Sequence, residues 1–166
     1  KTLKFFTIIP TMNNYSFLNL SKSFLTPLAK FQIINNRYLN DNIWDENDLE
    51  SLIKHEYFYG KVCVSKEKII AFCLANGDKK NLELYTIFVD PVFRRLGIAK
   101  KILTDCIYFC KYKKIQKIIL EVSVKNEEAK QLYLKNNFVV YGLRKDYYEQ
   151  NGEKADALLM QLKNFM

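Results

Sequence analysis

The chain has a single histidine, His55, among 166 residues. A metal site built from several imidazoles is therefore excluded, and we expect no metal cofactor. The four cysteines have neither the paired spacing of a zinc site nor a Cys-x-x-Cys redox motif; they are Cys63, Cys73, Cys106 and Cys110. Cys106 and Cys110 fall on one apolar helical face, which predicts buried, reduced thiols and a cytoplasmic or other reducing compartment.

Long apolar runs are also missing. None approaches the roughly 20 residues of a membrane-spanning helix, so we expect no membrane partner. Hydrophobic residues make up 49% of the chain and aromatic residues 14%, which excludes a disordered protein. The length suits one domain with a sizeable core, expected over residues 12–166, with residues 1–11 as an extension or extra strand outside it.

The net charge of +8 is by itself compatible with a nucleic-acid partner. The lysines are scattered, however, and their local clusters at residues 100–101 and 111–114 lie on or just after a predicted helix. A solvated helix face explains such clusters, so we do not expect nucleic acid as a partner. An electropositive surface still attracts an anionic ligand.

The hydrophobic pattern predicts a strand, two helices, three strands, a helix, a strand, a helix and two strands, which is a mixed α/β layered domain. Ser21 is a candidate helix cap, and residues 66–68 are the predicted turn of a hairpin. A strand over residues 115–124 is nearly continuous in apolar residues, as expected when both its faces are covered. The other predicted strands cover residues 15–20, 61–65, 69–75, 81–89, 138–147 and 154–161.

The most informative segment is residues 89–99, Val-Asp-Pro-Val-Phe-Arg-Arg-Leu-Gly-Ile-Ala. An apolar strand enters a short basic turn and continues as an amphipathic helix. The first amides of a helix lack carbonyl partners, and with the adjacent arginines they form an anion site suited to a pyrophosphate. Gly97 lets the backbone approach a ligand closely, and Ala99 is small. The alternative is a basic helix N-terminus that binds nothing, although cations there are unfavourable without a compensating partner.

A second group of polar residues follows. Glu121 interrupts an otherwise apolar strand, and an unpaired buried carboxylate is costly. We therefore expect Glu121 to have an ion-pair partner, a wet cleft or a chemical role. Asn126 is predicted to cap the next helix, whose dipole Glu127 and Glu128 complement. Tyr133 lies on the apolar side of that helix, where an ordinary core tyrosine is the alternative to a functional one.

These motifs carry a family resemblance. Residues 94–99 fit the Gln/Arg-x-x-Gly-x-Gly/Ala signature with which GNAT acetyltransferases bind acetyl-coenzyme A. The segment is not a dinucleotide fingerprint, since it has one glycine, nor a Walker loop, since Gly-Lys-Ser/Thr is absent. Residues 120–138, with Leu-Glu-Val, Asn, Ala, Leu-Tyr and Phe in order, resemble the RimI-type N-terminal acetyltransferases of that family, which modify a small-subunit ribosomal protein. The resemblance covers about residues 15–163.

The resemblance implies a GNAT fold: a mixed, mostly antiparallel central sheet flanked by helices, with a splayed strand pair that holds acetyl-CoA. It implies that Glu121 is the general base and that Tyr133 protonates the departing thiolate. Exposed amides near a bulge of the splayed strand bind the thioester and pantetheine. The implied cofactor-binding residues are Phe88, Val89, Arg94, Arg95, Leu96, Gly97, Ile98, Ala99 and Asn126.

Three further segments resemble elements of the RimI-type enzymes: residues 43–45, residues 144–148 and residues 155–160. By this similarity Trp44, Tyr147 and Tyr148 line the acceptor cleft. The chain departs from the family pattern at Asn137, which stands in place of glycine, at Asp146, in place of asparagine, and at Ile43, in place of proline. The last two flank the cleft, so the acceptor peptide does not carry over by resemblance.

The predicted function is acetyl-CoA-dependent transfer, in a ternary complex, to the N-terminal α-amino group of a small-subunit ribosomal protein. An α-amino group with a pKa of about 8 is roughly one-tenth neutral at pH 7, whereas deprotonating a lysine side chain there costs about 4.6 kcal/mol. One glutamate is therefore adequate for an α-amine. Two alternatives stay open: a GNAT enzyme acting on lysine, a polyamine or another small amine, and a non-catalytic acyl-CoA-binding module.

Overall fold

A computed structural model of the chain describes residues 15–39, 43–150 and 153–163. The predicted extension over residues 1–11 lies outside these ranges. The predicted order of elements is confirmed. The elements are β1 (Tyr15–Asn19), α1 (Leu25–Ile34), α2 (Glu46–Leu52), β2 (Tyr59–Ser65), β3 (Lys68–Gly77), β4 (Asn81–Val89), α3 (Ile98–Lys113), β5 (Lys117–Ser123), α4 (Glu127–Lys135), β6 (Val139–Gln150) and β7 (Glu153–Lys163).

The strands form one seven-stranded sheet in the order β1-β2-β3-β4-β5-β7-β6. All neighbours are antiparallel except β4 and β5, which run parallel. These two strands pair only from Asn81 opposite Lys117 to Leu84 opposite Leu120, and beyond that point they diverge. Tyr85 is left unpaired in a bulge of β4, because the register to β3 shifts by one residue there. The mostly antiparallel sheet and the predicted splayed pair are thus confirmed.

Two apolar clusters cover the two faces of the sheet. The first includes Ile102 and Cys106 of α3 together with the inward residues of β5. The second lies between the sheet and the α1–α2 layer and contains no residue of β5. The expectation that both faces of β5 are covered is therefore wrong: Ile118, Leu120 and Val122 are buried, while the alternate residues are only half-buried.

Of the two predicted helix caps, that of Asn126 is confirmed and that of Ser21 is wrong, and a further cap is found at the start of α2. Asp45 and Asp48 form a reciprocal capping box at the start of α2. The Asn126 Oδ1 atom accepts a hydrogen bond from the Ala129 N–H at 3.1 Å, as predicted. Ser21 makes no side-chain cap hydrogen bond. A single 3-10 turn separates it from α1, and its hydroxyl pairs instead with that of Ser23.

All four cysteines are buried free thiols, as predicted. Burial raises the pKa of the Cys63 thiol to about 11, so this sulfur stays protonated and unreactive near neutral pH. Of the helices in the described ranges, none combines the length and the apolar character that crossing a bilayer requires.

The two-residue turn between β2 and β3 offers a stability test. Lys66 and Glu67 have φ angles of 48° and 64°, a left-handed geometry that Asn-Gly adopts with less strain. We expect Lys66→Asn combined with Glu67→Gly to raise the melting temperature by about 3 °C, equivalent to about 1 kcal/mol. Calorimetry of the parent and the variant measures this.

The matched control is Lys79→Asn combined with Lys80→Gly in the next turn, where neither residue has a positive φ. That pair should leave the melting temperature unchanged or lower it. Equal stabilisation by both pairs would contradict the assigned turn geometry.

Candidate functional site

The loop between β4 and α3 is shaped by its backbone conformation. Arg95 has a φ of 63° and Gly97 a φ of 80°, so the chain bends sharply before α3 begins. The first α-helical bond runs from the Lys101 N–H to the Gly97 carbonyl at 3.0 Å. The amides between these residues therefore lack helical acceptors. A Cβ atom at Gly97 would meet no atom within 4 Å, so open space lies in front of the loop.

The two arginines of the loop surround one carboxylate. The Arg94 Nη1 atom lies 3.8 Å from the Glu128 Oε2 atom, and the Arg95 Nη2 atom lies 3.4 Å from Glu128 Oε1. The Arg94 Nε–H donates to the Val89 carbonyl at 3.2 Å, which fixes its guanidinium against β4. The Glu128 carboxylate thus pairs with two cations that lie near the first amides of α3, where the sequence predicts an anion site.

The other loop residues contribute backbone rather than side chains. Ile98 is 2% exposed and belongs to the first cluster. Leu96 and Ala99 are partly buried against the same cluster. Any ligand contact from these three residues therefore comes from their amides.

The register of β4 decides which amides face the gap beside β5. The Asp90 N–H donates to the Ile70 carbonyl at 2.8 Å, and Phe88 lies opposite Phe72. Because antiparallel hydrogen-bonded pairs alternate, the Phe88 amide points toward β3 and the Val89 amide points toward the gap. This corrects the prediction that the Phe88 amide is exposed; the Phe88 side chain packs in the second cluster.

Glu121, the carboxylate that interrupts the apolar strand β5, forms an ion pair. The Arg144 Nη1 atom of β6 lies 2.9 Å from Glu121 Oε1. A hydrogen bond to Glu121 raises the pKa of Tyr147. Burial, reinforced by the nearby charge of Glu121, raises the pKa of Tyr148 to about 12. Both tyrosines therefore stay protonated and act toward Glu121 as neutral groups.

A bulge in β6 brings these side chains to Glu121. Arg144 pairs with Ala157 and Tyr148 with Ala155, so the three residues 145–147 face a single residue of β7. That residue, Asp156, accepts the Asp146 N–H through its Oδ1 atom at 2.9 Å. Arg144 belongs to the family-like segment of residues 144–148, but the sequence alone predicts no role for it. Its charge was visible, whereas its proximity to Glu121 arises only because β7 inserts between β5 and β6.

Tyr133 lies on the other face of the sheet. It is buried in the first cluster, and its ring centroid is 5.5 Å from that of Phe138. Burial raises the pKa of Tyr133, so its hydroxyl keeps its proton. The nearby Tyr148 contributes to the raised pKa of Tyr133, and Glu121 contributes to the raised pKa of Tyr148. Glu121 and Tyr133 thus lie on opposite faces of the sheet.

Trp44 approaches the gap from the β4 side. Its ring stacks on Tyr85, the bulged residue of β4, with centroids 6.0 Å apart. The buried Gln32 side chain fixes its backbone, because the Gln32 amide donates to the Trp44 carbonyl at 3.0 Å and accepts its N–H at 3.1 Å. Tyr147, in edge contact with Tyr148 at 5.1 Å, approaches from the β6 side. Aromatic rings therefore lie on two sides of the sheet face that carries Glu121.

Comparison with known proteins gives consistent matches. The model of the acetyltransferase (GNAT) family matches residues 24–138. Ribosomal protein bS18-alanine N-acetyltransferase of Haemophilus ducreyi is 34% identical over 98 residues, 58% of this chain and 68% of the relative. N-alpha-acetyltransferase 50 of Danio rerio is 30% identical over 128 residues, 74% of this chain and 71% of the relative. The crystal structure of the ribosomal-protein-S18-alanine N-acetyltransferase from Escherichia coli shares the fold, with a TM-score of 0.76 at 23% identity over 90% of this chain and 93% of that one.

The carboxylate between the arginines yields a binding prediction. Because Glu128 competes with any bound anion for Arg94 and Arg95, Glu128→Gln should bind inorganic pyrophosphate about two- to fivefold more tightly than the parent. Titration calorimetry at low salt measures the two dissociation constants.

Glu127→Gln serves as the matched control, since Glu127 pairs with Lys130 rather than with the arginines. Equal effects of the two substitutions, or weaker binding by Glu128→Gln, would contradict the assigned anion site.

Proposed function

The chain belongs to the GNAT family of acetyltransferases, and we propose that it acetylates the N-terminal α-amino group of a protein, with a small-subunit ribosomal protein as the acceptor. The observation that carries this proposal is the gap between β4 and β5 in a sheet that has Glu121 on one face and Tyr133 on the other. Residues 90–97, which we call the anion loop, connect β4 to α3. A ribosomal acceptor would meet the enzyme in the cytoplasm.

GNAT enzymes use acetyl-coenzyme A, and this chain's residues fit that group. The space in front of Gly97 is open, and Arg94 and Arg95 already hold a carboxylate. We infer that these arginines and the amides of residues 96–99 hold the diphosphate. The Val89 amide and the Nδ2 group of Asn126, whose Oδ1 caps α4, would hold the pantetheine arm. When bound, acetyl-CoA supplies the activated acetyl thioester.

Glu121 and Tyr133 are the proposed proton-transfer groups. A general base must lie where it can accept a proton from the attacking amine, and Glu121 is the half-buried carboxylate on the acceptor face of β5. Burial raises the pKa of Tyr133, so its hydroxyl is protonated before the reaction, and its proposed role is to hydrogen-bond to the departing thiolate and pass this proton to it. The two groups lie on opposite faces of the sheet, so the base and the acid would act on different substituents of the tetrahedral carbon.

The acceptor class rests on three aromatic residues and on the relatives. Trp44, Tyr147 and Tyr148 offer flat apolar walls beside Glu121, as a peptide requires and a small polyamine does not. One relative is named an N-acetyltransferase of an alanine of ribosomal protein bS18 and the other an N-alpha-acetyltransferase. The proposal thus has two levels: the acceptor is an α-amino group, and the protein that carries it is a ribosomal protein.

The direct test is a panel of acceptors incubated with acetyl-CoA and analysed by mass spectrometry. The panel contains peptides with free N-termini, including one that matches the N-terminus of a small-subunit ribosomal protein, α-blocked peptides with one lysine, and spermidine. Acetylation of the free N-termini is expected. Activity confined to lysine or spermidine, or acetyl-CoA binding without transfer to any acceptor, would overturn the proposal.

Glu121→Gln tests the base. Removing the carboxylate should lower kcat/KM for an N-terminal peptide by about 10²- to 10⁴-fold, while calorimetry should show unchanged affinity for coenzyme A. The control is Glu83→Gln, an exposed carboxylate on β4, which should leave the rate unaltered. Similar rates for the two variants would remove Glu121 from the mechanism.

Tyr133→Phe tests the acid. Because Tyr133 stays protonated well above its ordinary pKa of about 10, kcat/KM should rise as the acceptor amine deprotonates near pH 8 and should not fall again below pH 10. The variant should lower kcat by about ten- to a hundredfold across this range without changing the shape of the profile. Tyr112→Phe, at an 83% exposed position of α3, is the control, and equal activity of both variants would leave Tyr133 as a core tyrosine only.

A further inference from the structure

The ion pair between Arg144 and Glu121 lies on the sheet face from which the acceptor amine would enter. Its atoms are 2.9 Å apart, and the Arg144 side chain is 53% exposed whereas that of Glu121 is 21% exposed. The guanidinium therefore lies on the solvent side of the carboxylate. It also packs over the Tyr147 ring, with Cζ 5.2 Å from the ring centroid, which holds it beside the proposed base.

We propose that Arg144 determines acceptor specificity: its positive charge beside Glu121 admits amines that arrive without a proton and repels ammonium groups, which favours protein α-amino groups over lysine side chains. This inference rests on the proposed function and extends it to the choice of acceptor.

Within the described ranges, Arg144 is the positively charged neighbour of Glu121. On β6 the neighbours are Arg144 and the protonated hydroxyls of Tyr147 and Tyr148. On β7 the residue opposite Glu121 is the apolar Leu159. On β4 the charged residue of the same face is Glu83, which lies opposite Ile119, two residues before Glu121.

The two classes of acceptor differ in the fraction that is neutral. At pH 7.5 about a quarter of α-amino groups lack a proton, but only about one lysine side chain in a thousand does. An uncovered carboxylate would bind the lysine ammonium and could then take its proton within the site. The guanidinium of Arg144 occupies that position and repels a second cation. Protonated amines are thereby kept from the Glu121 carboxylate. A neutral amine is not repelled and needs only a hydrogen-bond acceptor there.

The experiment compares two matched peptides. One has a free N-terminus and no lysine, and the other is α-blocked and has one internal lysine. Arg144→Gln should raise the ratio of lysine to α-amine kcat/KM by about tenfold or more at pH 7.5. In the parent, the lysine reaction should gain about tenfold per pH unit between pH 7 and 9, and this dependence should flatten in Arg144→Gln.

Two controls separate charge from structure. Arg144→Lys keeps the positive charge and should retain the parent ratio. Lys145→Gln removes one charge from the adjacent exposed position and should also retain it. A readout independent of turnover is calorimetry with n-butylammonium at pH 7 in the absence of acetyl-CoA, where binding is expected for Arg144→Gln and not for the parent.

Three outcomes would overturn the inference. In Arg144→Gln, an unchanged ratio of lysine to α-amine kcat/KM with an unchanged pH profile would show that Arg144 only supports Glu121. An equal loss of rate with both peptides would show the same. In either case, α-amine transfer by the parent would leave the proposed function standing. Transfer by the parent to the lysine peptide alone would overturn the proposed function and this inference together.

Discussion

The separation of β4 from β5 after four paired residues is the constraint on which the site depends. A buried peptide group without a partner costs about 1–3 kcal/mol, so a gap inside a sheet persists only if both strands are held elsewhere. β4 is held by β3 along its length, and β5 by β7 along its length. The Val89 carbonyl, which faces the gap, is satisfied by the Arg94 side chain. The gap between β4 and β5 therefore stays open because each strand is fixed by its other neighbour.

Three of the strained backbone positions in the described ranges shape the elements near this opening. Arg95, Asn137 and Asp146 all have positive φ angles, which for residues other than glycine are unfavourable. Arg95 turns the anion loop into α3, and Asp146 forms the bulge that brings Arg144 and Tyr147 to Glu121. Asn137 follows α4 directly, where its tolerance of the left-handed conformation ends the helix. Contacts stabilise two of these positions: the Asp146 N–H donates to Asp156, and the Arg95 side chain pairs with Glu128.

Local features were predictable from the sequence, and long-range ones were not. The bounds of β4, the glycine at the start of α3 and the Asn126 cap follow from patterns within ten residues. The pairing of Glu121 with Arg144 depends on a sheet order in which β7 lies between β5 and β6, and no periodicity encodes that order. The Phe88 amide was misassigned for a similar reason, since its direction depends on the register with β3. The coverage of β5 was overestimated because an apolar run does not show how far a neighbouring helical layer extends.

The insertion of β7 has a consequence for the order in which the molecule assembles. β6 joins the sheet through β7 alone, so Arg144 and Tyr147 reach Glu121 only after the later strand has docked on β5. The anion loop and its Gly97 turn need nothing beyond β4, α3 and α4. The loop between β4 and α3 is therefore built entirely from segments that precede β6 and β7 in the chain, whereas the group formed by Glu121, Arg144 and Tyr147 is completed only by the last two strands.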